Sequence, residues 1–524
     1  MKLYSIYHLQ SIAHRVMGKY GFLSHFPRKV IKEVRHRHKE IPFRMAERSV
    51  RDLRNLLWSS IDNVDSFDLD QLIYCERSSL QEIRALVAIA DVDVFVEKGS
   101  RIDKYAFHNG TSVYTGVQTF SMLPEKLSHD FSSLREGEDR LAIVIEFFVR
   151  KNGSVRSGEI YRAMVHNRAK LIYEPVGDWL EQKGLLPDEV ASVADLEEQI
   201  RLQDEAAQRL QEFRRKNGAL ELETIEASPV INDGRVVDLV IRQKNRAHYL
   251  IENFMVAANG TMAQFLESQG VPMIQRVVRE PEHWPRIVEV AASLGVDLPK
   301  EADPRALTDF LIRQRETDPE HFPDFSLTIV KLLGSAEYVC FQPGKQKYGH
   351  FGLAIKDYTH STAPNRRYVD LVTQRLLKAV LKNKNSPYNK RELSQIADWC
   401  TDRDKAAKKV ERFMGKVVAS VLLKGREGEI FEAIVTGATE KGTFVRLLHP
   451  PAEGKVMYGE EGMEVGQKVR VRLIKLQPEK GFIDFERAEK MSRAFTKEDQ
   501  EPQRFLPSRR KERKQLRRRR GWKQ

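Results

Sequence analysis

The chain has 524 residues, 41% of them hydrophobic and 31% charged, with a formal net charge of +13. That is enough apolar material for one large domain with smaller ones attached, which excludes a disordered tail protein or a single small module. The longest nearly apolar run, residues 141–149, contains Glu146 and falls far short of the roughly 18 to 20 residues that cross a bilayer, so a soluble protein with no membrane partner is expected.

The charge is unevenly spread. Residues 1–60 hold thirteen Lys and Arg against four Asp and Glu, a surplus of +9, and residues 504–524 hold eleven against Glu512 alone, a surplus of +10. Residues 61–503 therefore carry −6. A mildly acidic body between two basic ends suits a polyanionic partner. Cys75, Cys340 and Cys400 contain no CxxC pair, which disfavours a disulfide framework or a Cys-rich zinc site and suits a reducing cytosol, so a cytoplasmic location is expected.

In chain order, residues 1–58 read as a basic helical segment carrying His8, His14, His25, His36 and His38. Val50, Leu53, Leu57 and Trp58 share helical spacing and predict a helix over 46–58. From residue 59, short β-rich runs such as 86–90 and 141–149 alternate with polar turns, so the sheet of an α+β domain over 59–415 begins here. Residues 176–216, 250–266 and 284–311 are helical by composition and period. After Pro364, a helix with Tyr368, Leu371, Val372, Leu376 and Val380 on one face is predicted to hold Arg366 and Arg367 in its first turn. Residues 391–413 predict a helix pair.

From residue 428 the texture changes to short alternating segments with Gly turns, at 429–435, 442–448, 468–476 and 481–486. Val469, Val471 and Leu473 alternate with Arg470, Arg472 and Ile474, giving one buried and one largely basic face. A five-strand OB-like barrel over 425–488 fits. Residues 489–524 are expected to be a disordered basic tail that adds sequence-independent, salt-dependent affinity.

The densest carboxylate group is Asp62-Asn63-Val64-Asp65-Ser66-Phe67-Asp68-Leu69-Asp70-Gln71. Carboxylates held this close repel one another, and such a site usually supplies a divalent cation; a solvated acidic loop is the competing reading. An EF-hand starting at Asp62 fails, because Phe67 stands where Gly is needed and Ile73 where the closing Glu belongs. The glycines of 437–442 have phosphate-loop spacing, but Thr443 replaces the required Lys, and neither a G-x-S-x-G elbow nor an H-E-x-x-H helix occurs. The second informative stretch is Tyr358-Thr359-His360-Ser361-Thr362-Ala363-Pro364-Asn365-Arg366-Arg367-Tyr368-Val369-Asp370. Arginines at a helix N-terminus call for an anion, either a bound phosphate or a core carboxylate such as Asp370.

Together with Val87-Ala88-Ile89-Ala90-Asp91-Val92-Asp93, Thr111-Ser112-Val113-Tyr114 and Gly218-Ala219-Leu220, these stretches resemble the exoribonuclease II/R (RNB) family from about residue 59 to 381. Residues 428–487 resemble that family's S1-type OB domain. The resemblance implies a mixed-sheet catalytic domain followed by the barrel. It also implies processive 3′ to 5′ hydrolysis of single-stranded RNA with a free 3′ end, releasing 5′-monophosphates with Mg²⁺, or Mn²⁺ in its place. The family's four-acid motif falls on Asp62, Asp68, Asp70 and Gln71, so the fourth acid is an amide here and Asp65 is the candidate substitute. Asp70 and Arg366 fall on catalytic positions, the arginine expected to stabilise charge on the phosphoryl group. Tyr114 and Glu252 fall on positions that contact the terminal nucleotides and distinguish ribose. Arg367, Phe444, Arg470 and Arg472 are further candidates for RNA contact, with Arg446 alongside them.

Only 61 residues precede Asp62, too few for the two cold-shock domains of the family's bacterial archetype. The basic lead-in is expected either to grip RNA or to act as a packing arm. A monomer is the default expectation. Gln71 leaves an alternative: a weakly active or inactive RNB-type protein that binds RNA in a regulatory role.

Overall fold

The computed structural model describes residues 5–37, 50–78, 81–223, 227–241, 243–281, 283–319, 322–439 and 442–489. The predicted tail lies outside them from residue 490 onward.

A six-stranded mixed sheet forms the centre: β1 (Arg51–Asp52), β2 (Trp58–Asp62), β3 (Gln71–Arg77), β4 (Ile83–Ala90), β7 (Asp139–Val149) and β8 (Val155–Ile172), in the order β1-β8-β2-β3-β4-β7. At 18 residues, β8 is long enough to serve three neighbours, β1, β2 and β7. Its first part runs antiparallel to β7, and its last part runs parallel to β2, ending with Ile172 beside Asp62. The sheet thus curls back on itself, and β4 is buried along almost its whole length, as a strand covered on both faces must be. The other strands of this half pair two by two: β5 (Val113–Tyr114) with β6 (Thr119–Phe120) and β9 (Ala227–Asn232) with β10 (Arg235–Ile241) as hairpins, and β11 (Met273–Val277) antiparallel to the distant β12 (Glu337–Phe341).

Around the sheet lie α1 (Ile6–Lys19), α2 (Arg28–Arg37), α3 (Arg101–Asn109), α4 (Tyr173–Leu180), α5 (Asp188–Ala191), α6 (Leu196–Lys216), α7 (Arg246–Ser268), α8 (Trp284–Ser293), α9 (Pro304–Thr317), α10 (Phe322–Leu333), α11 (Tyr368–Leu381) and α12 (Lys390–Leu422). Among the described residues, no helix is long and apolar enough to cross a membrane. The zone predicted as helical at 284–311 is interrupted: Gly295 takes a φ of +74° after α8, and Asp303 caps α9 by accepting from the Arg305 and Ala306 N–H groups.

The helix expected over 46–58 is not formed in its described part. Trp58 instead opens β2, fully buried, with its indole N–H donating to the Leu53 carbonyl at 2.8 Å. The apolar spacing there reflects a strand entering the core. The helix pair expected over 391–413 is a single helix of 33 residues, α12. A capping box between Asn389 and Glu392 starts it, and no proline follows. The charged residues at 402–405 lie between turns whose buried face continues through Ala406, Ala407, Val410 and Met414. α12 therefore runs from the half built on the mixed sheet into the C-terminal barrel.

That barrel closes in the order β13-β14-β15-β17-β16, from β13 (Ile430–Thr439), β14 (Gly442–Leu447), β15 (Glu453–Tyr458), β16 (Lys468–Gln477) and β17 (Phe482–Glu489). Only β15 and β17 pair in parallel, which is the OB-type connectivity. Val469, Val471 and Leu473 fill its core with Phe431 and Phe485, whereas Phe482 is exposed. α1 packs into the same apolar cluster as α12 and the barrel, and His8 and Arg15 both reach Glu479.

A buried charge network fastens α11 to the sheet. Arg375 binds Asp93 at 2.9 Å and Asp103 at 2.8 Å, and its fork also reaches the Tyr388 hydroxyl and the Val96 carbonyl. Lys378 pairs with Asp91 and Asp93, and Arg162 holds Asp91 from β8 at 3.1 Å. Buried charges persist only when paired and hydrogen-bonded, so this network fixes where the N-terminal end of α11 points.

Candidate active site

Asp62 ends β2 and Gln71 begins β3, so strand adjacency brings both ends of the acidic loop together. The loop between them is pinned from several sides. Lys170 donates to the Ser66 carbonyl at 2.7 Å, and the Ser133 hydroxyl donates to the Phe67 carbonyl at 2.7 Å. The Leu134 N–H closes onto the Leu69 carbonyl at 2.9 Å. These contacts turn Asp68 and Asp70 inward.

Asp70 is buried, 2% exposed. Its Oδ1 accepts from both the backbone N–H and the side-chain amide of Asn365, at 3.1 and 2.9 Å. Its Oδ2 faces the Arg366 Nε at 3.8 Å and has no hydrogen-bond partner among the described residues. Burial pushes the Asp70 carboxyl well above its ordinary pKa, Asp68 adds to the shift and Arg366 opposes it. Asp68 is likewise raised by burial and by Asp62, against Arg366 and His129. Asp62 accepts from the Ser66 hydroxyl at 2.7 Å and from the Gln71 amide at 3.4 Å. Asp65 is exposed in the turn and is not drawn into this group.

Arg366 and Arg367 precede α11 instead of lying in its first turn, because the segment is tied to the chain after α3. The Arg366 carbonyl accepts from the Ser112 N–H at 2.9 Å, and the Tyr368 N–H donates to the Gly110 carbonyl at 2.9 Å. Gly110 has a φ of +69°, and a Cβ there would meet the Arg403 side chain at 2.8 Å, so this crossing requires glycine. The two arginines then diverge. Arg367 is spent on Asp370 in a bidentate pair at 2.7 and 2.8 Å, so the core-carboxylate reading holds for it. Arg366 keeps a half-exposed guanidinium over Asp70 and against the Tyr114 phenol. Burial raises the Tyr114 pKa to about 12, with Arg366 opposing.

Other predicted residues lie farther out. Glu252, on α7, accepts from Lys244 at 2.7 Å in a cleft it shares with Arg214 and Tyr249. On the barrel, Phe444 lies beside Lys416 of α12, and Arg472 pairs with Glu486. Arg470 is half-buried on the neighbouring part of β16. Arg446, expected to follow the RNA backbone, is instead held by the Asp324 carboxylate of α10, at 2.6 Å to Oδ1, which docks the barrel on the larger domain.

Two residues escaped sequence reasoning. Asn365 orients Asp70, and its own Oδ1 lies 2.6 Å from the Ser132 hydroxyl, a partnership 233 positions apart with no local signal. Tyr173 follows β8 directly, stacks on His248 at 4.0 Å, and stands close enough to Asp62 and Arg366 to feel both charges. Only the extreme length of β8, which runs on to Asp62, marks its position.

An all-oxygen donor set with one buried carboxylate oxygen lacking a hydrogen bond, and two carboxyls each raised by burial and by a neighbouring aspartate, fits a hard divalent cation such as Mg²⁺ or Mn²⁺. Among the described residues, no three His, Cys, Asp or Glu groups already stand at ligand spacing.

The profile of the RNB domain matches residues 50–383, and that of the RNase II-type exonuclease C-terminal S1 domain matches residues 429–488. The chain belongs to the RNB family. Similar RNB proteins include ribonuclease R of Aquifex aeolicus, 30% identical over 92% of this chain and 71% of the relative, and that of Thermotoga maritima, 32% identical over 82% and 61%. Ribonuclease R of Escherichia coli K12 is 31% identical over 80% of the chain, which spans about half (52%) of that relative's length. The RNB fold is likewise that of Mycoplasma genitalium RNase R in complex with ribose methylated single-stranded RNA, with a TM-score of 0.81, 22% identity, and coverage of 91% of this chain and 78% of the other. Yeast Ssd1, a pseudonuclease, shares it at a TM-score of 0.65 and 16% identity, over 86% of this chain and 56% of its own.

Proposed function

We propose that this protein is a cytoplasmic, metal-assisted exoribonuclease that hydrolyses single-stranded RNA from its 3′ end, releasing 5′-monophosphates. One observation carries the reading: the half-exposed Arg366 guanidinium stands 3.8 Å from the buried, unpartnered Oδ2 of Asp70. A fixed cation beside carboxylates that need a counter-ion is what a phosphodiester in hydrolysis requires.

Asp62, Asp68 and Asp70 would hold Mg²⁺ or Mn²⁺, with Gln71 offering an amide oxygen. A bound ion supplies charge neutralisation at the scissile phosphate and a more acidic water. Asn365 keeps Asp70 oriented, so that its free oxygen faces the reacting centre. Arg366 meets the negative charge that grows on the phosphoryl oxygens. Tyr114, on the short β5–β6 hairpin, packs against the terminal nucleotide, and Glu252 accepts from a ribose 2′-hydroxyl. Arg470, Arg472 and Phe444 bind the strand on the barrel.

A second reading, RNA binding without turnover, is favoured by Gln71 and by the fold shared with a pseudonuclease. The three acids and Arg366 weigh against it. Uniformly labelled single-stranded RNA separates the two: release of labelled mononucleotides with Mg²⁺, abolished by chelation, is the expected result. No product over a range of Mg²⁺ and Mn²⁺ concentrations overturns the exoribonuclease reading.

A further inference from the structure

The middle of α12 touches both the catalytic site and the barrel. On one side, Glu411 accepts from the Tyr114 N–H at 3.0 Å, and Asp404 accepts from Arg276 at 2.9 Å. A turn and a half further on, Lys416 lies 5.7 Å from the Phe444 ring and pairs with Glu453 of β15 at 3.3 Å. Between these points, the helix buries Ala406, Ala407, Val410 and Met414. At 100° per residue, the opposite face holds Lys405, Lys408, Lys409, Arg412 and Lys416, with no carboxylate among them.

Lys405, Lys408, Lys409 and Arg412 are exposed, and Lys416 is half-buried. Lys408 pairs with Asp404 at 3.2 Å, whereas Lys405, Lys409 and Arg412 have no carboxylate partner among the described residues. Lys331 of α10 donates to the Thr436 carbonyl of the barrel at 3.0 Å. Burial holds its pKa below the ordinary lysine value, and the nearby Arg412 and Lys416 add to that while Glu453 and Asp324 oppose it. Cations from two helices thus converge beside Phe444. From Lys405 to Lys416 the row spans about 16 Å at 1.5 Å per residue.

Like charges along one helix face, three of them without a carboxylate partner among the described residues, repel one another and suit a polyanion laid along them. The face carries no apolar side chain to enter a lipid or a protein groove, and it joins two places where bases can stack. We propose that this face of α12 is a phosphate track, carrying a single RNA strand from the barrel to Tyr114. The inference rests on the exoribonuclease reading for the identity of the polyanion.

The test uses the full chain and the triple variant K405A/K409A/R412A, with K405R/K409R/R412K as the charge-conserving control. Binding of a fluorescent 20-nucleotide single strand is followed in chelator across a salt series, and turnover of that strand and of a tetranucleotide is measured with Mg²⁺. Losing three phosphate contacts should flatten the slope of log K against log salt by about 2. Affinity for the 20-mer should fall at least tenfold at low salt, and the loss of kcat/KM should grow with RNA length. The control should keep the original slope. An unchanged slope, or a tetranucleotide as impaired as the 20-mer, overturns the track. If the unaltered protein neither binds nor degrades RNA, the exoribonuclease reading fails with it; if it does both and the triple variant matches it, only the track fails.

Discussion

The Gln71 amide donates to Asp62 Oδ2 at 3.4 Å, at the point where one strand leaves the sheet and the next enters it. The hydrogen bond is long and therefore weak, but it places a neutral donor where a fourth carboxylate would add repulsion to a crowded group. The amide thus eases the ion-free fold at the cost of one ligand charge.

Gln71→Asp should reverse that balance. In chelator the variant should be less stable by about 1–3 kcal/mol, and Mg²⁺ or Mn²⁺ should raise its Tm more than it raises that of the unaltered protein. Thermal unfolding with and without each ion measures both effects. Equal Tm values in both conditions would show that Gln71 has no part in the cation site.

The neighbouring arginines should separate cleanly on mutation. Arg366→Ala should lower kcat by about 10²–10³ with little change in stability, the outcome expected of the proposed role at the phosphoryl group. Arg367→Ala strands the fully buried Asp370 and should cost about 3 kcal/mol of stability. Steady-state kinetics beside urea unfolding distinguishes them, and equal stability losses in both variants would contradict the assignment.

Arg375 serves five partners in the interior, so Arg375→Ala should lower unfolding stability by about 3–5 kcal/mol and shift the urea midpoint accordingly. Activity at temperatures where the variant is folded should also fall, because the network aims the Arg366 end of α11.

The contribution of two buried histidines to stability should fall in mild acid, opposite in sign to that of the raised Asp68 and Asp70 carboxyls. Burial, with help from Arg276, lowers His350 to about 4 from its ordinary 6.5, and burial lowers His360 as well. Between those values the unfolded chain binds the proton and the folded one does not, so the His350 contribution is fully present above pH 6.5 and is lost as pH drops toward 4. His350→Asn should flatten the slope in that window, by about 2–3 kcal/mol at pH 4.5. A pH series of urea melts tests this, and an unchanged slope would refute it.

Elements with a local cause were legible in the sequence. The alternation of Val469, Val471 and Leu473 appears as one face of the barrel, and the loop between Asp62 and Gln71 appears as the acidic group. What stayed hidden depended on distant partners. Arg366 and Arg367 look like a helix start until Gly110 and Ser112 hold them outside it. Arg446 looks free until Asp324, 122 positions away, takes it up. Residues 402–405 interrupt an apolar pattern without interrupting the helix, because a long helix lying on two domains needs only a continuous buried stripe.

The continuity of α12 also makes it a phase coupler between the domains. At 33 residues it is about 50 Å long, and each residue turns the chain by about 100° while advancing it 1.5 Å. Inserting one residue in its middle would swing the barrel about a quarter turn around the helix axis, whereas inserting a full heptad would nearly restore its azimuth about 10 Å farther away. The bearing of the barrel toward the catalytic face is therefore encoded in a residue count.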